Sequence, residues 1–592
     1  MQSIGMNKMD SGESGDNPPL AWYMNKKIRL IIFLAIAAVS FLGTVLYPRY
    51  LEAKYISALD GEAQRIISSM TRTELLGQLI HISVPGKDAS AKTVTRELAT
   101  IRPGGVILFG YNIGNGQELQ GFNETLQKTA DALKIPDLLI STDQEGGRVI
   151  RVTDGVTQFP SALAIGQADD AQLSEMTGFQ ISRELRSLGI NLFFAPVLDV
   201  NNNPQNPVIG IRSLGSNVEM VTRNGVAFER GARHGGAIPV IKHFPGHGNT
   251  NVDSHYGLPV IPSSLEDLRK LELVPFQAAI NNGAKMVMSA HIMFPALDKE
   301  YPGTLSKSVL TNLLREQMGF QGVTITDAME MKAIADHFQK QRPAVLALLA
   351  GIDIILTTSW GEFPAKVLKE LQEADAKGEF LIGERDLVKE AVYRQIRLKL
   401  EFGLLSSEWT QNADLIERET EEYNFREKAA RQLKEKYPDL NKTISLAAIR
   451  SLQPVDEFKL EQNCKAEVFS SILKSKIKSS GKNKTCLLVE AGSAGALRSV
   501  NARALQNPTQ KFYVLFWGNP FEYKPNAPNL QIIYSFSPTA ASRMALAETL
   551  EPAQYEKLRT VDLILPQMNS NHQKQKVLPS EEDIRQFRDR MP

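Results

Sequence analysis

The sequence predicts an α/β protein: a TIM (β/α)8 barrel over residues 62–405, a smaller α/β domain after it and a single transmembrane helix before it. Three observations predict this class. Eight short apolar runs alternate with amphipathic segments between residues 77 and 375. Polar residues gather where those runs end, the place where barrel enzymes keep their chemistry. No G-x-G-x-x-G or Walker turn follows the first run, as it would in many open doubly wound sheets. The composition agrees. With 43% hydrophobic and 22% charged residues in 592, the chain is neither disordered nor collagen-like nor a polytopic membrane protein. A net charge of +1 provides no overall field for nucleic acid, so no nucleic-acid partner is expected. Two cysteines, Cys464 and Cys486, cannot organise the bulk of the fold.

Residues 1–29 read as a polar cytoplasmic tail. Residues 30–47 (LIIFLAIAAVSFLGTVLY) carry no charge and follow Lys26, Lys27 and Arg29. At ~1.5 Å per residue that run just spans a bilayer core, and the upstream cations predict that everything after it is exported. A secretory signal peptide uses the same basic flank, but no small-x-small cleavage site follows, so an uncleaved anchor is the expectation. The strand-like runs of the barrel are 77–83, 105–110, 137–142, 190–198, 237–242, 284–290, 322–326 and 352–357. At or just after their ends stand Asp143, Asp199, Lys242 with His243, His291 and Asp327. A charged stretch then predicts a helical linker over 406–440. The second domain, 441–565, has strand-like runs at 444–449 (ISLAAI), 484–491, 511–518 and 529–535, and 566–592 is a polar tail.

The segment VIKHFPGHGNTNVDSHYGLP (240–259) holds Lys242, His243, His247, Asp253 and His255. His243 and His247 are at i, i+4, as in zinc helices, but Pro245 and Gly246 break any helix between them, so no metal site is expected. Asp253 and His255 are at i, i+2, a spacing that in an extended loop turns both side chains to one side. The carboxylate can then hold one imidazole nitrogen and leave the other to exchange protons, although such a pair could also simply tie down a loop. Asp327, in GVTITDAMEM, ends an apolar run, and a carboxylate fixed there can attack an anomeric carbon. Glu330, three residues on, reads as a helix-capping partner. DQEGGRVIR (143–151) combines Asp143, two glycines and the cations Arg148 and Arg151, which suits hydroxyl-rich ligands, and Arg212 in NPVIGIRSLG is a further candidate donor.

Together these segments resemble the family 3 glycoside hydrolases, in particular their β-N-acetylglucosaminidase (β-N-acetylhexosaminidase) branch. RPGGVILFG, STDQEGGRVIR, FAPVLDVNNNPQNPVIGIRSLG, KHFPGHG followed by DSH, MSAHIMFP and ITDAMEM look like the family's successive signatures over roughly residues 65–405. The resemblance implies Asp327 as nucleophile and His255, paired with Asp253, as acid/base. It also implies that Asp143, Arg151, Arg212, Lys242 and His243 bind the sugar and its N-acetyl group. The expected activity is cofactor-free, retaining exo-hydrolysis of β-linked N-acetylglucosamine from peptidoglycan fragments. A β-glucosidase or β-xylosidase of the same fold, and a membrane-tethered sugar-binding protein without catalysis, are the alternatives. The expected location is the bacterial membrane with the barrel on the extracytoplasmic side. Residues 441–592 look like a shortened form of the second domain found in some members and carry no motif of their own.

Overall fold

The computed structural model describes residues 33, 42–451, 464–467, 483–520, 523, 525–548 and 559–560. The expected cytoplasmic tail, the polar C-terminal tail and all of the expected membrane span except Phe33 and residues 42–47 lie outside them. Among the described residues no helix is long and apolar enough to cross a membrane.

A helix, Tyr47–Ser69, leads into the first sheet, with Pro48 in its first turn, where the missing N–H costs nothing. Its buried residues, Leu59, Ala63, Ile66 and Ile67, follow the helical period and form one stripe. That stripe packs on helix Leu387–Glu401, and Asp60 accepts hydrogen bonds from Arg397 Nε (2.7 Å) and Tyr393 Oη (2.8 Å).

Eight strands follow in chain order: β1 Ile80–Ser83, β2 Gly105–Ile107, β3 Leu139–Thr142, β4 Leu192–Phe193, β5 in two pieces (Ile238–Pro239 and Ile241–Phe244), β6 Met286–Ser289, β7 Val323–Ile325 and β8 Ile355–Leu356. Every pairing among them is parallel, in the order β8-β1-β2-β3-β4-β5 and on through β6 to β7. The sheet curls, and the bridge Ile325–Ile354 links the end of β7 to the approach of β8. Strand alternation sorts the side chains. Ile107, Leu139, Leu192, Val240, Met286, Val323 and Leu356 pack together inside the curl, whereas Val106, Ile140, Phe193, Ile241 and Val287 join the cluster shared with the helices.

The strands are shorter than the apolar runs suggest. The first run, 77–83, begins inside helix Arg72–Gln78, which a reciprocal Thr71–Glu74 capping box fixes. The expected linker contains helix Ala413–Lys436, capped by Asn412. ISLAAI, expected as a strand, is instead part of helix Leu440–Ala448. Asp439 caps that helix, and its Leu440, Ile444 and Ala448 are buried at i, i+4, i+8. The smaller sheet runs β10-β11-β12-β13-β9-β14, from β9 Arg450–Ser451, β10 Cys464–Glu467, β11 Asn483–Ala491, β12 Lys511–Phe516, β13 Leu530–Tyr534 and β14 Arg559–Thr560. It packs against the loops that follow β3 and β4. Leu163, Ala164 and Ile211 share a hydrophobic cluster with Val489, Leu497 and Phe516, and Ser161 donates its N–H to Ser537 Oγ (3.2 Å) and its hydroxyl to the Phe536 carbonyl.

Candidate active site

The polar strand ends converge at the C-terminal mouth of the curled sheet. β3 runs into a hairpin, Gln144–Gly146 against Val149–Ile150, whose turn passes through Gly146 and Gly147 at φ +91° and +60°. A side chain is excluded at either glycine, because a Cβ would collide with the Pro160 carbonyl at one and with Ser161 at the other. This turn brings Asp143 and Glu145, two residues apart, to the Nζ of Lys242 on β5, at 3.2 and 2.7 Å. Arg212 closes the network with two bonds to the same Glu145 carboxylate (2.9 and 2.8 Å), and Arg151 Nη2 stands 3.6 Å from Asp143 Oδ2. Lys242 is 2% exposed and Glu145 4%. Burial pushes the Glu145 carboxyl up, but Arg212 and Lys242 together outweigh it and hold the group well below the carboxylate range. The Lys242 ammonium also lies 5.9 Å from the centre of the Phe194 ring.

His243 neighbours this network and is fixed from behind. Its Nδ1 lies 2.7 Å from Asp199 Oδ2, and Asp199 Oδ1 accepts the backbone N–H groups of His243 (3.1 Å) and His247 (2.7 Å). Burial raises the Asp199 carboxyl, yet His243, His247 and these N–H groups leave it lowered. The contact with Nδ1 fixes the orientation of the His243 ring.

Asp327 follows β7. Its Oδ1 accepts the Ala328 N–H (2.8 Å), and burial is again outweighed by His291, His243, that N–H and Lys242, so the carboxyl is lowered and ionised near neutrality. His291 is buried, with Nε2 3.0 Å from the Ala328 carbonyl and Nδ1 2.8 Å from Thr304 Oγ1. Since a carbonyl only accepts, Nε2 carries a hydrogen. Burial lowers the His291 imidazole, while the neighbouring Asp327 carboxylate works against that shift.

Asp253 and His255 sit apart from this cluster. Asp253 Oδ1 accepts from His255 N (2.9 Å) and faces its Nδ1 (2.7 Å), but the His255 side chain is 59% exposed on an open loop. The residue between them anchors the pair. Ser254 is buried, its Oγ lies 3.3 Å from His247 Nε2, and its carbonyl accepts the Ala333 N–H (3.3 Å) of the chain that follows Asp327. The loop is thus tied to the segment that follows Asp327, with the His255 ring exposed and Asp253 partly buried beneath it.

Asp143, Arg151, Arg212 and Lys242 are therefore brought into one network, and Lys242 and His243 into electrostatic contact with Asp327. Glu330 is no helix cap: its Oε1 accepts Thr358 N (2.9 Å) and Ser359 Oγ (2.6 Å), lacing the Asp327 loop to the loop after β8. Glu145, the hub of the ion network, escaped the sequence reading, although its i, i+2 spacing from Asp143 on a ribbon was a usable signal. Arg148 is exposed. Among the described residues no group of three or more His, Cys, Asp or Glu side chains could hold a metal ion.

An ionised carboxylate beside a buried cation network that can grip hydroxyls is the equipment of a glycoside hydrolase. The glycosyl hydrolase family 3 N-terminal domain matches residues 71–398, and the chain belongs to that family. Beta-hexosaminidase A of Pseudoalteromonas piscicida is 37% identical over 320 residues, 48% of this chain and 53% of its own length, so the chain spans about half of that relative. The beta-hexosaminidase of Methylococcus capsulatus is 34% identical over 316 residues, 53% of this chain and 91% of its own length. The solved structure of a family 3 β-N-acetylglucosaminidase from Paenibacillus sp. str. FPU-7 superposes with a TM-score of 0.69 at 32% identity, covering 81% of this chain and 97% of that one.

Proposed function

We propose that the protein is a retaining exo-β-N-acetylglucosaminidase whose curled sheet works as a (β/α)8 barrel. The observation that carries this reading is the position of Asp327, at the end of β7 with its Oδ1 held by the Ala328 N–H (2.8 Å) and its carboxyl lowered by the surrounding His291, His243 and Lys242. In the first step an Asp327 oxygen bonds to the anomeric carbon as the glycosidic bond breaks, and His255 gives its Nε2 proton to the leaving oxygen. In the second, water gives a proton back to His255, its oxygen bonds to the anomeric carbon and the aspartyl ester is released. Asp253 orients the ring through Nδ1 and stabilises it when protonated. Lys242, His243, Arg212, Arg151 and Asp143 grip the sugar hydroxyls and the N-acetyl group. The similarity to named beta-hexosaminidases and to the Paenibacillus β-N-acetylglucosaminidase supports the choice of sugar.

Rates on nitrophenyl N-acetylglucosaminide and nitrophenyl glucoside decide the sugar, and faster glucoside turnover overturns the N-acetyl reading in favour of a glucosidase. Asp327→Ala is expected to abolish hydrolysis in a folded protein; undiminished turnover would show a different nucleophile. Loss of activity with EDTA, restored by zinc, would overturn the cofactor-free mechanism.

The proposed substrate source is peptidoglycan fragments outside the cytoplasmic membrane, reached by a barrel tethered through residues 30–47. The cations before that run support the orientation, and a disulfide-bonded Cys486 suits an oxidising compartment. Protease added to spheroplasts should digest the barrel and spare a tag placed before Met24, whereas the opposite pattern reverses the topology.

A further inference from the structure

Beside the Asp327 loop, the rim of the mouth carries a row of aromatic rings that the chemistry above does not use. Phe109, partly buried against the cluster inside the curl, stacks on Tyr111 with centroids 5.7 Å apart, and Tyr111 meets Trp360 edge-on at 5.8 Å. The row therefore runs from the interior of the sheet out to its rim. Tyr111 is 43% exposed and Trp360 42%. They come from loops after β2 and β8, the two neighbours of β1 in the sheet.

Tyr111 and the backbone that carries Trp360 are held firmly. Tyr111 Oη lies 2.6 Å from Ser83 Oγ at the end of β1, and Ser83 N–H donates to the Ser359 carbonyl (3.1 Å). Asn112 clamps the Tyr111 turn by donating to the Val84 and Gly86 carbonyls (2.8 and 2.7 Å). The Gly361 N–H, next to Trp360, donates to the buried carboxylate of Glu97 (2.9 Å). Glu330, from the Asp327 loop, binds Thr358 and Ser359 immediately before Trp360. The wall that positions the nucleophile and the wall that positions the rings are thus one hydrogen-bonded unit.

From this arrangement we infer that Tyr111 and Trp360 form a binding platform for the leaving-group sugar, and that the ligand is a second pyranose in a chair with equatorial substituents. Such a ring presents a flat face of axial C–H bonds, which suits an exposed, preorganised aromatic surface, while its polar edge stays in water. The inference rests on the exo-glycosidase reading and adds that the protein selects glycans over glycosides with small aglycones.

The test is the ratio of kcat/KM on N,N′-diacetylchitobiose to that on methyl β-N-acetylglucosaminide, which has no second ring. Trp360→Ala should lower this ratio about tenfold, the loss of a stacked ring, and Trp360→Phe should recover most of it. An unchanged ratio in Trp360→Ala, with both substrates affected equally, overturns the platform and makes the tryptophan a packing residue. If the wild type cleaves neither substrate, the exo-glycosidase reading fails separately. Calorimetric binding of the disaccharide then tests the platform alone: affinity lost in Trp360→Ala and kept in Trp360→Phe supports it, and equal affinity in all three proteins overturns it.

Discussion

Replacing Glu145 by Gln removes one negative charge from the centre of the ion network and leaves its shape nearly intact. In the wild type that carboxylate accepts two bonds from Arg212 and one from Lys242, all within 2.9 Å, and none of the three side chains is more than 16% exposed. Removing one partner of a buried ion pair costs about 3–5 kcal/mol, because the remaining charge is stranded. Lys242 keeps Asp143 at 3.2 Å and Gln retains one acceptor, so the low end, about 3 kcal/mol, is expected. The assay is urea unfolding of both proteins between pH 3 and 8. Because the folded Glu145 carboxyl is held below its ordinary value, its contribution is present above about pH 4.5 and is lost as pH falls toward the folded value. The gap between the proteins should therefore be full at pH 6–8 and narrow below about pH 4.5. A gap under about 1 kcal/mol at pH 7, or one that widens on acidification, would refute the argument that this carboxylate holds the two cations.

Glu272, 2% exposed behind Gly246, is pushed up to about 7 by burial, so its stabilisation is complete below about pH 4.5 and is lost as pH rises through 7. Glu272→Gln should accordingly melt above the wild type at pH 8, by an amount equivalent to about 3 kcal/mol, and level with it near pH 4.5, as read by calorimetry. Lys399 is buried with no partner for its Nζ among the described residues, and burial pulls it down to about 7. For this base the unfolded chain binds the extra proton between about pH 7 and 10.5, so wild-type stability rises over that range. Lys399→Met should be the more stable protein at pH 7, by about 4 kcal/mol, with the difference shrinking toward pH 10 in urea titrations. Ser254→Ala cuts the hydroxyl link to His247 and should lower kcat/KM about fivefold, the value of about one hydrogen bond, with little change in melting temperature.

Local chemistry was readable in the sequence, and relations between distant segments were not. Asp327, Lys242 and His243 could be identified because each stands at the end of an apolar run, and strand ends are where a curled sheet presents side chains to a ligand. Asp253 and His255 could be paired from their spacing, and the 2.7 Å contact is made, but through a turn in which Tyr256 N–H donates to the Asp253 carbonyl rather than through the extended loop expected. Glu145 meets Arg212 across 67 residues of chain, and Asp199 meets His243 across 44, so neither partner is visible without the fold. His291 gave a half-signal. Its strand-end position marked it as polar and placed, but its bond to the Ala328 carbonyl depends on β6 and β7 lying side by side. ISLAAI failed for a different reason: an apolar run of six residues satisfies strand and helix patterns alike, and the deciding feature was the Asp439 cap five residues upstream. The ion network is thus a consequence of curling the sheet. The two catalytic partners proposed here stand in opposite environments, a partly buried carboxylate near Lys242 and His243 and an imidazole left open to water. An acid that must protonate a leaving group entering from solvent is well served by the second, and a nucleophile that must stay ionised by the first.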